Sequence, residues 1–395
     1  MQTLAIDMPA LSGAGVSKCE RCGCMGRRRI YRISLILALI LSILTLFVYS
    51  AWYLKTQVPD AVRIAYGDEQ TLNLGLKEVS VQAVEHVSVI PGGVPIGVYL
   101  ETHGVYVVGT SEVATADGLL REPALQILQA GDYILVVNGK SVEDKDELIA
   151  CIQANKTETM VLRLNREGEE LQVHVNAVQT EEGDYKLGVW VKDDIQGIGT
   201  LTYMAQDGSF GALGHGITDS DTGELLDAAG GSLYDTTILD IVKGVRGTPG
   251  ELSGSITYSE RHVRGTILQN TEAGIFGEAD GILAAELCDE TVEVAFKQEV
   301  EIGTAVLRSA VSGELKDYEI EITEIRLNES DVNKGMVFRV TDEELLGLTG
   351  GVIQGMSGSP ILQNGRLIGT VTHVFVNDPA KGYAIFAETM VSAGE

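Results

Sequence analysis

A serine enclosed by glycines near the C-terminus has the surroundings of a nucleophile. Ser357 lies in the segment GMSGSP at residues 355–360, which follows the pattern G-x-S-G-x-P. Glycines permit a tight turn that exposes the serine hydroxyl, while neighbouring backbone N–H groups converge on one point and can stabilise an oxyanion. The pattern predicts a nucleophile at Ser357 and oxyanion donors at the N–H groups of Gly355 and Ser357, with Ser359 at a variable position. An ordinary glycine–serine turn is the alternative.

A serine nucleophile requires a general base, so the chain's six histidines are the next residues to weigh. His215 ends the segment GALGH and is followed by another glycine, about 140 residues before Ser357. This separation would suit a fold of two β-barrels in which one barrel carries the base and the other carries the nucleophile. The remaining histidines before Ser357 are expected at surface or strand positions: His86, His103, His174 and His262.

The third group of such a site is a carboxylate that orients the imidazole. Asp342 follows the predicted strand 335–340 and precedes Ser357 by 15 residues, which makes it the leading candidate. Composition alone does not choose between Asp342 and four other aspartates that lie between His215 and Ser357: Asp219, Asp221, Asp235 and Asp240.

The composition is that of a folded acidic protein. The 395 residues suffice for two or three domains, and 46 glycines against 8 prolines indicate many tight turns. The formal net charge is −27, and a field of that sign repels phosphate backbones. Nucleic acid is therefore not expected as a partner.

A long apolar segment separates a basic head from an acidic body. Residues 33–54 are 22 positions without a charge, a length that spans about 33 Å as a helix. The basic tail, residues 1–32, carries a net charge of +4, which favours a cytoplasmic tail and an acidic body on the far side of a membrane. We predict an uncleaved membrane anchor; the alternative is a signal peptide cleaved near Ser50 and Ala51.

The five cysteines indicate neither a metal centre nor a disulfide framework. Cys19, Cys22 and Cys24 lie in the basic tail without a nearby histidine as a fourth zinc ligand. Cys151 and Cys288 lie far apart in the acidic body, and their spacing does not decide whether they pair. We predict no metal ion and no cofactor.

Two regions of different secondary-structure pattern follow a linker at residues 55–86. Residues 87–178 alternate short strands with two helices, which indicates an α+β domain. Residues 179–395 contain evenly spaced, strand-length apolar runs bounded by glycines, a pattern typical of an all-β sandwich or a pair of barrels. The sequence thus predicts a mainly β protein behind an N-terminal transmembrane helix.

The α+β region resembles a PDZ domain of the bacterial protease-associated type. The resemblance rests on LQAGDYILVVNGK at residues 128–140, a strand and turn signature of that family. It implies peptide binding by strand addition at a sheet edge, with Ile96, Gly97 and Val98 as the receiving strand. The alternative is a structural spacer whose groove is unused or occupied by the chain itself.

The exported part as a whole resembles the SpoIVB peptidase family of endospore-forming bacteria. The segments that carry the resemblance are VIPGG (89–93), GALGHG (211–216), GMSGSP (355–360) and VTHVFVNDP (371–379). It implies a serine endopeptidase with a chymotrypsin-like double β-barrel, a PDZ domain and a membrane anchor. Carried over by position, His215 matches the family's base, Ser357 its nucleophile and Asp342 its acid. The N-terminal extension with three cysteines departs from the family pattern.

The same resemblance implies a role in sporulation. The peptidase would face the forespore intermembrane space and cleave a membrane-associated inhibitor of an intramembrane metalloprotease, which then processes the late mother-cell sigma factor. Self-cleavage near the N-terminus is implied as well. A catalytically inert, membrane-tethered PDZ adaptor that binds peptides is the alternative function, and a general quality-control protease is a third.

His373 follows Ser357 by 16 residues, within the segment 370–376. In chymotrypsin-like folds the strand after the nucleophile lines the specificity pocket. The resemblance therefore places His373 where it could select a polar substrate side chain before the scissile bond. The alternative is a hydrogen-bonded histidine inside a β core.

Overall fold

The computed structural model describes residues 20–65, 70–73, 78–156, 159–287 and 290–395. The chain divides into two compact units, one made of Met1–Val58 and Asn73–Glu78, the other of Pro59–Leu72 and Val79–Glu395. The second unit contains both the α+β region and the region of predicted barrels.

The first unit contains one long helix, α1 (Glu20–Gln57). Its stretch Ile30–Thr56 is 27 residues long and apolar enough to cross a membrane, and no other helix among the described residues meets that test. At about 1.5 Å per residue this stretch extends about 40 Å, more than a bilayer core requires. Apolar side chains are exposed all round it, which suits a helix surrounded by lipid. The predicted anchor at residues 33–54 lies inside this helix.

Short strands occupy the region that the sequence predicts as a linker. They are β1 (Ala61–Ala65), β2 (Gln70–Asn73), β3 (Glu78–Val84) and, just beyond, β4 (Ser88–Pro91). β1 pairs in parallel with β3, with Ala61 opposite Ser80. Residues 55–86 therefore contain ordered strands as well as the end of α1.

The α+β region has its own apolar core. Its elements are β5 (Pro95–Thr110), β6 (Val113–Ala114), β7 (Leu120–Arg121), β8 (Tyr133–Val137), β9 (Lys140–Ser141), α2 (Lys145–Asn155), β10 (Thr159–Arg166), β11 (Glu169–Asn176), β12 (Val178–Gln179) and β13 (Tyr185–Lys186). α2 begins after Asp144, whose carboxylate accepts a hydrogen bond from the Glu147 N–H and so caps the helix. Leu148 and Ile152 of α2 pack with Leu162 of β10 in this core.

Six strands close into a first barrel. The elements that follow the α+β region are β14 (Val189–Ala205), β15 (Ser209–Ala212), β16 (Ala228–Tyr234), β17 (Thr236–Val242), β18 (Glu251–Ile256), β19 (Val263–Thr271), β20 (Gly274–Ala279), α3 (Gly281–Glu286) and β21 (Val292–Glu293). Pairing runs in the order β5, β16, β19, β20, β15 and β14, and β14 pairs back with β5. β4 joins the same sheet through β14, while β17 and β18 form a hairpin of their own.

The long strands β5 and β14 join the α+β region to the first barrel. β5 has 16 residues and β14 has 17, and they pair antiparallel from Val189 opposite Thr110 to Thr200 opposite Pro95. β5 also pairs with β8 of the α+β region. One ladder of backbone hydrogen bonds therefore passes through both regions, and β5 contributes to each.

The second barrel carries the Ser357 segment. Its elements are β22 (Gly303–Ser309), β23 (Lys316–Ile325), β24 (Met336–Val340), α4 (Glu343–Thr349), β25 (Pro360–Gln363), β26 (Arg366–Val374), β27 (Lys381–Phe386) and α5 (Ala387–Ala393). Its six strands close in the order β22, β23, β24, β27, β26 and β25. Inward-facing side chains such as Leu307, Ile320 and Phe338 fill the interior. The two barrels confirm the predicted mainly β, double-barrel fold.

Candidate active site

The Ser357 turn is held by β14 of the first barrel. The Thr200 N–H donates to the Ser357 carbonyl at 3.0 Å, and the Thr200 hydroxyl donates to the Gly355 carbonyl at 2.7 Å. One step further along the same face, the Thr202 hydroxyl donates to the Gly358 carbonyl at 2.9 Å. A loop of the second barrel is thus anchored through its own carbonyls to a strand of the first.

Two N–H groups of this turn are directed away from the bonds that hold it. The Gln354 carbonyl accepts a backbone hydrogen bond from β18 at 2.9 Å, and the Met356 carbonyl accepts one from the Ser359 N–H at 2.9 Å. In a trans peptide the N–H points opposite to the carbonyl. The N–H groups of Gly355 and Ser357 therefore face the other way, and they have no acceptor within the described part of the chain. These are the two predicted oxyanion donors.

Glycine is required on both sides of the serine. Gly355 and Gly358 have φ of 94° and 98°, values that residues with a side chain rarely adopt. A Cβ on Gly358 would lie 2.0 Å from the Thr200 carbonyl oxygen and 2.7 Å from the Leu213 nitrogen. The glycine lets the turn approach the first barrel closely.

His215 follows β15 on a left-handed backbone. Leu213 and Gly214 have φ of 70° and 71°, so the chain reverses direction just before the histidine. A leucine in this conformation is strained, and the surrounding packing must impose it. The Leu213 N–H donates to the Thr200 carbonyl at 3.2 Å. Thr200 therefore binds both the turn before His215 and the turn that carries Ser357.

His215 and Ser357 line one cavity of about 610 Å³. His373 lines it as well, and the ring centroids of His215 and His373 are 4.9 Å apart with their planes at 34°. The Ser357 hydroxyl donates to the Thr372 carbonyl at 2.8 Å. In this arrangement the serine proton is bound by the backbone rather than by an imidazole.

The bond made by His215 defines its tautomer. Nδ1 lies 2.9 Å from the Gly216 carbonyl oxygen. Because a carbonyl oxygen can only accept, the proton is on Nδ1, and Nε2 keeps the lone pair that a general base needs. Burial lowers the pKa of His215 below its ordinary value. Desolvation of its ring is the main reason that the pKa of His373 is lowered to about 4, and repulsion from a protonated His215 is the second reason. Both imidazoles are therefore neutral at pH 7.

The structure does not bring Asp342 to His215. Asp342 is the N-cap of α4, where its carboxylate accepts from the Leu345 N–H at 2.9 Å. It also lies 3.4 Å from the Glu319 N–H, and it does not line the cavity that contains Ser357. The acceptor at Nδ1 of His215, the position of a triad acid, is the Gly216 carbonyl. The competing aspartates have other partners as well: Asp219 and Asp221 bind Lys192, Asp235 binds Arg264, and Asp240 accepts from the Ile241 N–H at 2.9 Å.

A further carboxylate, Asp331, lies beside His215 and His373, and the sequence analysis does not single it out. It lines a second opening of about 520 Å³ together with His215 and His373. Its carboxylate lies 2.7 Å from the Lys334 ammonium, which is the main cause of its lowered pKa, and His373 contributes a smaller attraction. No motif marks Asp331, because it lies in a loop between β23 and β24 that only the closure of the barrel brings to this position.

The three residues predicted to receive a peptide do not form a free edge. Ile96 and Val98 are 1 % and 3 % exposed within β5. Gly97 between them pairs with Ile198 of β14 on one side and with Tyr234 of β16 on the other. The prediction of strand addition at Ile96, Gly97 and Val98 is wrong, because this half of β5 is a wall of the first barrel.

The described residues contain no group of three or more His, Cys, Asp or Glu side chains placed to hold a metal ion. Cys19 and Cys288 lie outside the described residues, as do the side chains of Cys22 and Cys24. Cys151 is buried on α2 and forms no disulfide with another described cysteine. The question of a bond between Cys151 and Cys288 therefore also falls outside the described residues.

Two six-stranded barrels with a serine, a histidine and two free oxyanion donors at one cavity define a serine peptidase of the double-barrel class. The chain belongs to the SpoIVB peptidase S55 family, since the sequence model of that family matches residues 183–391, more than half of the chain. The matched residues include both His215 and Ser357. The protein is thus a serine peptidase.

Among solved structures the chain is similar to a PDZ domain and to a protease. The PDZ domain of the SdrC-like protein from Listeria monocytogenes is 23 % identical, with 22 % of this chain and 87 % of that chain covered and a TM-score of 0.19. The inactive form of the Rv3671c protease is 15 % identical, with 49 % of this chain and 81 % of that chain covered and a TM-score of 0.26. A comparison with curated proteins finds no match.

Proposed function

We propose that this peptidase is a membrane-anchored endopeptidase in which Ser357 is the nucleophile and His215 the general base. The observation that carries the proposal is their placement on one cavity, next to the free N–H groups of Gly355 and Ser357. We propose the domain limits that the sequence predicts: a basic tail at 1–32, an anchor at 33–54, a linker at 55–86, a PDZ-like region at 87–178 and a peptidase region at 179–395.

The reaction would begin with rotation of the Ser357 hydroxyl from the Thr372 carbonyl towards Nε2 of His215. His215 would take the serine proton while the serine oxygen attacks the scissile carbonyl, and the N–H groups of Gly355 and Ser357 would bind the oxyanion. His215 would then protonate the leaving amine. Water would release the acyl group by the reverse sequence, which restores the serine and returns the proton to it.

We assign Asp342 to the structure of α4 rather than to proton transfer. Its cap bond is complete, and the Gly216 carbonyl already selects the tautomer of His215 that a base requires. His373, which lines the cavity, keeps its proposed role in selecting the substrate side chain before the scissile bond.

The proposed substrate is a membrane-associated regulatory protein that inhibits an intramembrane metalloprotease in sporulation, and the chain itself is a second substrate. Two observations support this: membership of the SpoIVB peptidase family and an N-terminal helix long enough to cross a bilayer. An anchor keeps the enzyme at the surface where such a substrate lies and raises its effective concentration. We place the catalytic region outside the cytoplasm, in the forespore intermembrane space.

An inert adaptor is the competing function, and one contact favours it: the Ser357 hydroxyl is bound to a backbone carbonyl. A serine-directed fluorophosphonate separates the two, because it labels only an activated serine. We expect labelling and self-cleavage by the full-length chain in detergent micelles. Ser357→Ala should abolish both, and His215→Ala should lower the labelling rate by about 10⁴-fold.

The matched control is Ser359→Ala, which removes a buried hydroxyl two positions away that has no hydrogen-bond partner. It should leave the labelling rate within about threefold of wild type. Self-cleavage retained by purified Ser357→Ala would refute the assignment, and absence of labelling in the wild-type chain would leave the adaptor.

A further inference from the structure

The carbonyl that binds His215 belongs to a peptide group that is hydrogen-bonded at both ends. Nδ1 of His215 lies 2.9 Å from the Gly216 oxygen, and the N–H of the same peptide group belongs to Ile217. That N–H donates to Oδ1 of Asn270 at 2.8 Å. Because the N–H and the carbonyl of a trans peptide point in opposite directions, the bonds form one chain from the imidazole through the peptide to the Asn270 amide.

The Asn270 side chain uses all its hydrogen-bonding groups on the loop that follows His215. Its Nδ2 donates to the carbonyls of Ile217 and Leu226, both at 2.9 Å. The Leu226 N–H also donates to the Ile217 carbonyl at 3.1 Å, so the loop 217–226 is closed at its neck. With the amide reversed, the oxygen would face two carbonyl oxygens and the nitrogen would face an N–H. Oδ1 therefore faces the Ile217 N–H.

The strand that carries Asn270 also contacts Gly216. Asn270 lies on β19, which pairs with β16 and β20 of the first barrel. A Cβ on Gly216 would lie 2.5 Å from the carbonyl oxygen of Thr271, the next residue of β19. Gly216 therefore packs on the backbone of this strand with no room for a side chain. The Gly216–Ile217 peptide is fixed by a strand of the barrel and not by its own loop alone.

The acceptor at Nδ1 matters most when His215 takes a proton. In a Ser-His-Asp triad the charge of the carboxylate stabilises the imidazolium. The Gly216 carbonyl is neutral, but a peptide whose N–H donates to another acceptor is polarised, which makes its oxygen more negative. Burial lowers the pKa of His215, and the bond to the Gly216 carbonyl offsets part of that shift. An acceptor at the far end of the peptide makes this carbonyl a better partner for the imidazolium.

We propose that Asn270 is a positioning residue of the peptidase, which acts on His215 through the Gly216–Ile217 peptide. Oδ1 fixes the direction of the Gly216 carbonyl and makes its oxygen more negative, so that the peptide and Asn270 together take the place of a triad acid. No proton moves along this chain: His215 keeps the proton on Nδ1 and exchanges only the one on Nε2. The inference rests on the proposed function of His215 as the general base and adds a residue to it.

Titration of His215 by NMR tests this role without catalysis. The sample is full-length Ser357→Ala in detergent micelles, with histidine labelled at its ring nitrogens, and the His215 signal is assigned by its loss in His215→Gln. The other titratable groups that line the two openings beside His215 are His373, Asp331 and Glu272. They are the same in every variant compared.

The two substitutions of Asn270 should move the titration in opposite directions. Asn270→Ala removes the acceptor, so the midpoint for His215 should fall, and part of the neutral population should carry its proton on Nε2. Asn270→Asp keeps an acceptor for the Ile217 N–H and adds a negative charge, so the midpoint should rise above that of the Asn270 chain. Both variants lose the Nδ2 donors that close the loop. A fall of the midpoint in both would assign Asn270 to loop closure alone and overturn the proposal.

Kinetics of the chain with Ser357 intact supply the second measurement. Asn270→Ala should lower kcat on a peptide substrate about tenfold, with KM changed less than about twofold, because the acceptor acts on the charged form of His215. The matched control is Gln269→Ala, which removes an exposed carboxamide from the preceding residue of β19 and should change neither kcat nor the titration. An unchanged midpoint and kcat in Asn270→Ala would overturn the proposal.

The titration also separates this inference from the proposed function. It uses the inactive Ser357→Ala chain, so it reports the effect of Asn270 on His215 whether or not the wild-type chain reacts with a fluorophosphonate. Absence of that reaction would refute the assignment of Ser357 and His215 as nucleophile and base. Unchanged titration of His215 in Asn270→Ala, with normal labelling of the wild-type chain, would refute the role of Asn270 alone.

Discussion

A backbone carbonyl, not a carboxylate, orients the imidazole of His215. The Gly216 oxygen at 2.9 Å fixes the tautomer but carries only a partial charge. A carboxylate at that place would also stabilise the imidazolium that forms as the serine proton arrives. Without a carboxylate partner, the pKa of His215 is lower than it would be in a triad. Burial of the ring lowers this pKa as well. His215 is therefore neutral over a wide pH range and only weakly basic.

The assignment of Asp342 as a helix cap predicts a specific outcome for Asp342→Asn. Asparagine caps a helix as well as aspartate does, so stability should be unchanged. The value of kcat/KM on a peptide substrate should stay within about threefold of wild type, since proton transfer does not involve this carboxylate. In the pH profile of kcat/KM, the decrease on the acid side should lie below pH 6.5. Activity falls only when the buried His215 becomes protonated, and burial lowers the pKa of that group.

Asp342→Ala is the companion variant. It removes the cap and should lower the free energy of unfolding by about 1 kcal/mol, measured by urea denaturation, while kcat/KM stays near that of the asparagine variant. A loss of kcat near 10⁴-fold in folded Asp342→Asn would contradict the assignment and return Asp342 to the catalytic triad.

At the scale of secondary-structure elements, β14 holds the turns of both proposed catalytic residues, His215 and Ser357. The Thr200 carbonyl accepts from the turn before His215, and its N–H and hydroxyl bind the turn that carries Ser357. Thr202 adds a buried bond to Gly358. Since one strand fixes both turns, their separation depends on a single rigid element rather than on packing between two independent loops.

Thr200→Val tests this coupling with little change in side-chain volume. It removes the hydroxyl bond and leaves the Gly355 carbonyl without that donor, at a cost of about 1–3 kcal/mol. If half of the middle of that range, about 1 kcal/mol, falls on the active arrangement of the turn, kcat should drop about fivefold, with KM changed less than twofold. Thr200→Ser keeps the hydroxyl and should restore kcat to within about threefold of wild type. An unchanged kcat in Thr200→Val would show that the backbone bonds alone set the turn.

Features of the site that depend on a local sequence pattern can be predicted from the sequence, whereas features that depend on tertiary contacts cannot. Ser357 and His215 are readable from the sequence because their turns need glycines at fixed positions, and glycine patterns are local. The prediction for Ile96 fails because a strand next to a PDZ-like signature has the same sequence pattern whether its edges are free or paired in a barrel. The distance of Asp342 along the chain suits a triad acid, whereas its cap bond to Leu345 forms only in the folded helix and cannot be read from the sequence. Thr200 carries no motif at all, because a strand residue acquires partners only through tertiary structure.

At the scale of the whole molecule, the net charge opposes the proposed attachment to a membrane. The part of the chain after residue 32 carries a net charge of −31, which repels anionic lipid surfaces. Binding of this part to a membrane by surface charge is therefore unfavourable. The helical stretch Ile30–Thr56 is the element that can hold the peptidase unit at a bilayer.

Removal of the proposed anchor should therefore slow the cleavage of a membrane-bound substrate without slowing the cleavage of a soluble peptide. A chain that lacks residues 1–57 keeps the whole of the compact unit with both barrels, so it should cleave a soluble peptide at an unchanged rate. It should cleave the same sequence fused to a vesicle-bound substrate at least about 100-fold more slowly, because the effective concentration supplied by tethering is lost and the acidic body is repelled. The control is the same truncated chain with an N-terminal histidine tag on nickel-bearing vesicles, which should recover the rate. Equal cleavage of both substrates without the tag would show that tethering contributes nothing, and loss of both would show that the helix supports the fold of the catalytic unit.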